Sequence, residues 1–141
     1  MPEHGLTLRF KVIIDGYGSL GNFGKCEGLM VEYSVHEYKE GGQNGYVHKL
    51  PGRASYPNIK LSRPVDSDST LVAGWLASIQ GVVQRQTAQI AILDAEGSVV
   101  TAWNLMDAYL VKWSGPTLDV GSNAVATETL ELAHNGFLGP R

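Results

Sequence analysis

The chain of 141 residues has a single cysteine, Cys26, so no internal disulfide can form. A lone thiol fits a reducing compartment. A nucleophilic cysteine needs a partnered histidine, and no spacing here supplies one, so a buried, inert thiol is expected. Runs of basic residues are also missing. The 11 Lys and Arg are scattered among 14 Asp and Glu, for a formal net charge of -3. That excludes the basic face on which nucleic-acid binding depends. No apolar run approaches membrane-spanning length. The opening Met1-Pro2-Glu3-His4-Gly5 has neither a basic n-region nor an apolar h-region. The expectation is a soluble chain made in the cytoplasm, without a signal peptide. His4, His36, His48 and His134 share no metal-ligand spacing and are read as surface or loop residues. There is no P-loop and no G-x-S-x-G. The scattered acids, Asp119 included, form no recognisable pair.

What is present is mostly strand. Leu6, Leu8, Phe10, Val12 and Ile14 alternate with Thr7, Arg9, Lys11 and Ile13, the period of a strand with one buried face. Asp15-Gly16 ends it in a turn. Leu29 to Tyr38 alternates Val31, Tyr33 and Val35 against Glu32, Ser34 and His36. Tyr46 to Leu50 and Ile59 to Leu61 are short strand candidates. Gln86 to Leu93 is a longer one. Ala95-Glu96-Gly97 turns into Ser98 to Trp103, which predicts a hairpin. Tyr109 to Trp113 and Val125 to Ala133 complete the set.

One helix is predicted from Ser69 to Gln80, where Leu71, Val72, Trp75, Leu76 and Ile79 fall at helical spacing. Asp66, Ser67, Asp68 and Ser69 are its N-cap candidates, and Gly81 offers a stop. Trp75 lies on the apolar face and is read as core. Many strands and one short helix predict a single domain over residues 1–141, a barrel or sandwich with the helix over one opening. The connection from Lys39 to Pro57 is long and rich in glycine and proline. Connections of this kind usually bind something, and a contact with another chain is the favoured reading.

Two strings imitate catalytic motifs. Gly16-Tyr17-Gly18-Ser19-Leu20-Gly21 matches G-x-G-x-x-G, but no helix follows to hold a pyrophosphate. It is read as a glycine-rich turn. Asp66-Ser67-Asp68-Ser69-Thr70 matches D-x-D-x-T of haloacid-dehalogenase-type phosphatases. The chain lacks the βαβ alternation that fold needs, and the acids make sense as a helix cap. No catalytic, cofactor-binding or metal-ligating residue is expected.

Longer strings carry a resemblance. They are Phe10-Lys11-Val12-Ile13-Ile14-Asp15-Gly16, Gly21-Asn22-Phe23-Gly24-Lys25-Cys26-Glu27-Gly28-Leu29 and Glu37-Tyr38-Lys39-Glu40-Gly41-Gly42-Gln43-Asn44. They continue with His48-Lys49-Leu50-Pro51-Gly52-Arg53, Tyr56-Pro57-Asn58-Ile59-Lys60-Leu61 and Glu128-Thr129-Leu130-Glu131-Leu132-Ala133-His134-Asn135-Gly136-Phe137. In this order, over nearly the whole chain, they resemble the tail tube proteins of contractile-tailed phages and phage-like contractile injection systems. Pro64 departs from the pattern, which has glycine after the basic residue.

The resemblance implies a mostly β fold, a barrel-like antiparallel sheet with one short α-helix, shared with the type VI secretion tube protein. It implies homohexameric rings stacked into a hollow tube inside a sheath, joined to a baseplate, driven through a target membrane. The lumen would carry an effector or phage DNA. The family is not enzymatic and needs no cofactor or stable membrane association, and assembly would occur in the bacterial cytoplasm. Strand edges supply contacts around the ring. The loop Lys39, Glu40, Gly41, Gly42, Gln43, Asn44 and Gly45 is the expected contact between rings, with the chain termini. The mildly acidic balance suits passage of nucleic acid by like-charge repulsion. Two alternatives stay open: a tube initiator at the baseplate, and a monomeric β-barrel binding module.

Overall fold

The computed structural model describes residues 9–38, 48–79, 81–82, 84–121 and 126–138. Its strands are β1 (Arg9–Ile14), β2 (Gly18–Phe23), β3 (Lys25–Glu27), β4 (Glu32–Tyr38), β5 (His48–Ser55), β6 (Ile59–Pro64), β7 (Gln86–Leu93), β8 (Val99–Ser114), β9 (Thr127–Ala133) and β10 (Phe137–Leu138). The helix α1 (Ser69–Ser78) falls between β6 and β7.

An eight-stranded antiparallel sheet runs in the order β2-β1-β7-β8-β9-β6-β3, with β10 on β8. Two strands make it curl. The first is β8, 16 residues long. Its first part pairs with β7, from Val99 to Ala108, and its second pairs with β9, from Tyr109 to Ser114. Asp107, at φ 52, sits at the join. The second is the run Gly18–Glu27, which forms β2 against β1 and then β3 against β6. Gly24 links the two halves and donates its N–H to the Ser62 carbonyl at 3.0 Å. The sheet therefore returns on itself through the chain, without a ladder between β2 and β3. It is barrel-like but not closed by hydrogen bonds.

Alternation explains what is inside. Val12, Ile14, Ile90, Ile59, Leu61, Leu130 and Leu132 all point to one side and are almost fully buried. Each such side chain contributes roughly 1.5–3 kcal/mol. Val72 and Trp75 of α1 join this core, so the helix packs on the barrel as its spacing predicted. The helix ends at Ile79, and Gly81 has the positive φ, 85°, of a stop. Its start differs from expectation. Asp68 occupies the N-cap position in a helical conformation with no side-chain cap bond. Its carboxylate accepts the Asn22 N–H instead, at 3.2 Å, which ties the helix to β2.

Other elements also differ from the sequence reading. The glycine-rich turn shrinks to residues 15–17, and Gly18–Phe23 is a strand. Gly21, at φ 89, leaves room for Asp68; an added Cβ would sit 2.7 Å from that side chain. Ser98–Trp103 and Tyr109–Trp113 are parts of one strand, β8. Within the long connection, β5 spans His48–Ser55 despite Pro51 and Gly52. Gly52 lies where a Cβ would meet the Ser34 hydroxyl, which accepts the Arg53 N–H at 3.0 Å. Pro64 closes β6 opposite Thr127, and Val65 takes up the next hydrogen bond, to the Ala126 carbonyl. The missing proline N–H thus costs nothing at a strand end.

Gly28 holds the entry to the hairpin. Its φ is 98°, and a Cβ there would lie 2.2 Å from the Asn58 carbonyl oxygen. Gly28→Ala is expected to cost at least about 2 kcal/mol, combining left-handed strain with the clash. A lowered urea midpoint at unchanged slope is the readout.

Candidate functional site

The polar interior is a scaffold. Arg63 and Glu128 are each 2% exposed. The Arg63 Nε–H donates to Glu128 Oε2 at 2.9 Å. Its Nη1 donates to the Leu20 and Asn22 carbonyls, at 2.8 and 3.1 Å, and its Nη2 donates to the Asp68 carbonyl at 2.8 Å. The guanidinium also lies over the Phe23 ring, 4.2 Å from its centroid. Glu128 accepts further bonds from the Ser69 hydroxyl at 2.6 Å and the Trp113 indole at 3.0 Å. Burial alone would raise its pKa. The bonds from Ser69, Trp113 and Arg63, with the Arg63 charge, outweigh burial and lower it.

One ion pair thus joins β2, β6, β8, β9 and the start of α1. Its alternation was visible in sequence: Ile59, Leu61 and Arg63 share a face, as do Glu128, Leu130 and Leu132. The two acids of the D-x-D-x-T string serve this junction. Asp66 accepts the Asp68 N–H, and Asp68 binds Asn22. Neither lies at the end of a buried parallel strand.

His134 lies in the β9–β10 connection, one of the loop positions the sequence reading expected for the histidines, but it is not on the surface. It is 6% exposed and packs among Tyr56 and Phe137, with ring centroids 5.5 and 5.2 Å away. Its Nδ1 lies 3.1 Å from the Gly136 nitrogen and 3.3 Å from the Gly136 carbonyl oxygen, and its buried Nε2 has no partner among the described residues. Burial lowers its pKa, and the backbone bond at Gly136 opposes this in part. A base with a depressed folded pKa contributes stability that is complete above its unfolded value of about 6.5. That contribution is lost as the pH falls through the folded value. His134→Phe is expected to flatten the stability profile between pH 7 and 5, measured by urea denaturation. An unchanged slope would reject the assignment.

Cys26 is partly buried, and its thiol is pushed up to about 11 by burial and then by Glu27. It is a protonated filler. Among the described residues no group of three His, Cys, Asp or Glu could hold a metal ion. No helix among them is long and apolar enough to cross a membrane. An open dimple of about 220 Å³ lies among Ile13, Asp15, Thr87, Gln89 and Asn104. Ligand pockets run roughly 300–1,000 Å³ and are mostly apolar, so nothing here favours the binding-module alternative.

The informative surfaces lie outside. The two halves of the barrel present different outer faces. On β1, β2, β7 and β8 the positions opposite the core are Ser19, Asn22, Thr87, Gln89, Ala102 and Asn104, with Arg9, Lys11, Ile13 and the exposed Val99, while Ala91 and Leu93 on the same face are buried. Gln89 donates to Asn104 across the strands at 3.2 Å. Arg9 and Lys11 are the charged members, and Asp15 lies at the margin. On β6, β8 and β9 the outward face is charged: Glu131 stands between Lys60 and Lys112. Asn58 donates to Glu131 at 2.7 Å.

Among the described residues the hairpin of β4 and β5 pairs only with itself. Tyr33 and Val35 are 61% and 60% exposed. Their cross-strand partners are Ala54 and Pro51, so they share one apolar face. An isolated two-stranded hairpin is marginal in water. The expected contact loop, Lys39, Glu40, Gly41, Gly42, Gln43, Asn44 and Gly45, lies outside the described residues, between the ends of these two strands. A second exposed apolar stretch follows β8, where Leu118 is 84% exposed and Val120 fully so.

Comparison with known proteins identifies this architecture. The family model of the T4-like virus tail tube protein gp19 matches residues 6–138. No curated protein sequence matches significantly. Among solved structures, the chain is similar to one in the PVC sheath-tube complex of an extracellular contractile injection system, in the extended state. The TM-score is 0.74 at 27% identity, over 92% of this chain and 86% of that one. It is also similar to a chain of the tube-terminating cap of the anti-feeding prophage, with a TM-score of 0.73 at 26% identity, over 98% and 90% of the two chains. A type six secretion system protein shares the fold, with a TM-score of 0.52 at 14% identity over 94% and 93%.

Proposed function

The chain belongs to the T4-like virus tail tube protein family, and from that premise we propose that it is the repeating subunit of the inner tube of a contractile injection particle or phage tail. Copies form hexameric rings, and the rings stack into a hollow tube that is driven through a target membrane. The observation that carries this reading is the family match from residue 6 to 138. The particle supplies the partners, a sheath outside and a baseplate at one end. The subunit itself catalyses nothing, because its buried ionisable groups are committed to the barrel.

A ring closes through heterologous contacts, in which one patch meets a different one. The free edges of β2 and β3 and the exposed hairpin are such patches. The outer face of β1, β2, β7 and β8 is the one suited to the lumen. Its exposed centre carries amides and hydroxyls, with Val99 at one end, and offers a cargo no specific grip. Its charges, Arg9 and Lys11, are cationic. The chain's acidic balance lies off this face, so with this face inward like-charge repulsion of nucleic acid is not expected. The Lys60, Glu131 and Lys112 face suits the outside.

The loop Lys39–Gly45, which follows β4 in the sequence, contributes to contacts between rings. Deleting Gly41 to Asn44 and imaging the purified product tests this. Single rings or short stacks are expected; tubes of normal length would refute the loop's role.

A further inference from the structure

We propose that Asn135 is a one-way modification site: its side chain cyclises onto the Gly136 nitrogen when the β9–β10 turn opens, and the acid that results keeps the turn from closing as before. The proposal concerns the single chain and does not rest on the tube reading. Only Asn44 and Asn135 precede a glycine in this sequence, and Asn44 lies outside the described residues. Glycine has no side chain to screen its nitrogen, so an Asn-Gly pair is the most open to attack within the chain. In the reaction the Gly136 nitrogen loses its proton and bonds to Asn135 Cγ. The Cγ–Nδ2 bond breaks, and the amide leaves as ammonia with that proton. The product is a cyclic imide, which water opens to aspartate or isoaspartate.

The fold keeps this reactive pair and holds it shut. Gly136 sits at φ 131, and an added Cβ would lie 3.1 Å from the Tyr56 ring, so a larger residue is strained there. The Asn135 N–H donates to the Met106 carbonyl at 2.8 Å, and the Met106 N–H donates to the Gly136 carbonyl at 2.7 Å. Gly136 is buried, its nitrogen 3.1 Å from His134 Nδ1. Asn135 itself is exposed, and its Nδ2 donates to Asp107 at 3.3 Å. Attack needs the peptide between Asn135 and Gly136 to turn, which breaks these bonds. Beyond it, Phe137 and Leu138 pair with Leu105 and Asn104 in a strand of only two residues, and such short terminal pairings open at low cost. The product closes less well. Aspartate at 135 sets a second carboxylate against Asp107, at the bend of β8, where like charges repel. Isoaspartate adds a methylene to the main chain and shifts Phe137 and Leu138 out of register.

Peptide mapping by mass spectrometry of the purified full chain, stored folded and stored in urea, tests the gating. Asn135 should convert in both, at least about tenfold more slowly in the folded chain, the factor that an opening cost of about 1.4 kcal/mol imposes. Conversion in the folded chain as fast as in urea, or none in urea, would overturn the proposal. Asn135→Asp tests the one-way step, with hydrogen exchange at the Met106 amide read by NMR. Asn135→Ser is its control, since it loses the amide without gaining the charge. Both sites of change are exposed, so the fold is not at stake. Exchange should be about two- to fivefold faster in Asn135→Asp than in Asn135→Ser, the range for like charges facing each other across two strands. Equal exchange in the two variants would overturn the release and leave Asn135 an ordinary surface amide.

Discussion

Arg63→Ala is expected to leave the barrel barely folded at room temperature. Removing one partner of a buried ion pair costs about 3–5 kcal/mol, because the other charge stays buried and uncompensated. Here the stranded group is Glu128, and the carbonyls of Leu20, Asn22 and Asp68 lose their donors as well. A domain's whole stability is only about 5–15 kcal/mol. Urea denaturation of dilute, unassembled protein reads the loss, as a midpoint lower by at least about 1 M for a slope of about 1–3 kcal/mol/M. Glu128→Ala should be similarly severe. The double variant should cost less than the sum of the two singles, because both remove one shared network. Arg63→Lys should also be damaging. A single ammonium cannot reach two faces of the junction as the planar fork does. Additive single effects, or a mild Arg63→Ala, would mean the network is not a unit.

Tyr33→Asp and Val35→Asp are expected to do the opposite: little to the fold, nearly everything to assembly. Both sites are more than half exposed in the single chain. Substitutions at such positions usually change stability by no more than about 0.5 kcal/mol. In an assembled tube the same carboxylate would be buried in an apolar contact, at a cost of several kcal/mol per subunit. Each 1.4 kcal/mol is about a factor of ten in the concentration needed. The urea midpoint should stay near that of the parent, while sedimentation shows no large particle at any practical concentration. Particles at parental concentrations would remove the hairpin from the account.

The contrast between these variants reflects two kinds of information in the sequence. Regular alternation made β1, β7 and the helix legible, and β7 runs from Gln86 to Leu93 as predicted. Glycine hid β2, because Gly18 and Gly21 resemble turn residues when they in fact serve positive φ and the close approach of Asp68. Pro51 and Gly52 hid only the second part of β5: the strand candidate Tyr46 to Leu50 overlaps its start, and the strand runs on to Ser55. The split in β8 was an error of the same kind, since the bend at Asp107 interrupts alternation but not the strand. β10 is two residues long and carries no periodic signal. The Arg63 and Glu128 junction could have been suspected, because each sits in phase with buried neighbours. Their pairing could not, since 65 residues separate them. The burial of His134 in its loop was missed because it comes from Tyr56 and Phe137, contacts that no local pattern encodes. The assembly role came from long strings in order, and the hairpin's exposed face supplies a physical reason for it.

Cryo-electron microscopy of the purified, concentrated protein tests the central claim most directly. The account predicts sixfold rings stacked into a hollow tube, with the β1, β2, β7 and β8 face lining the channel and each hairpin reaching a neighbouring copy. A monodisperse monomer at the same concentration, or a particle whose channel is lined by the Lys60, Glu131 and Lys112 face, would contradict it.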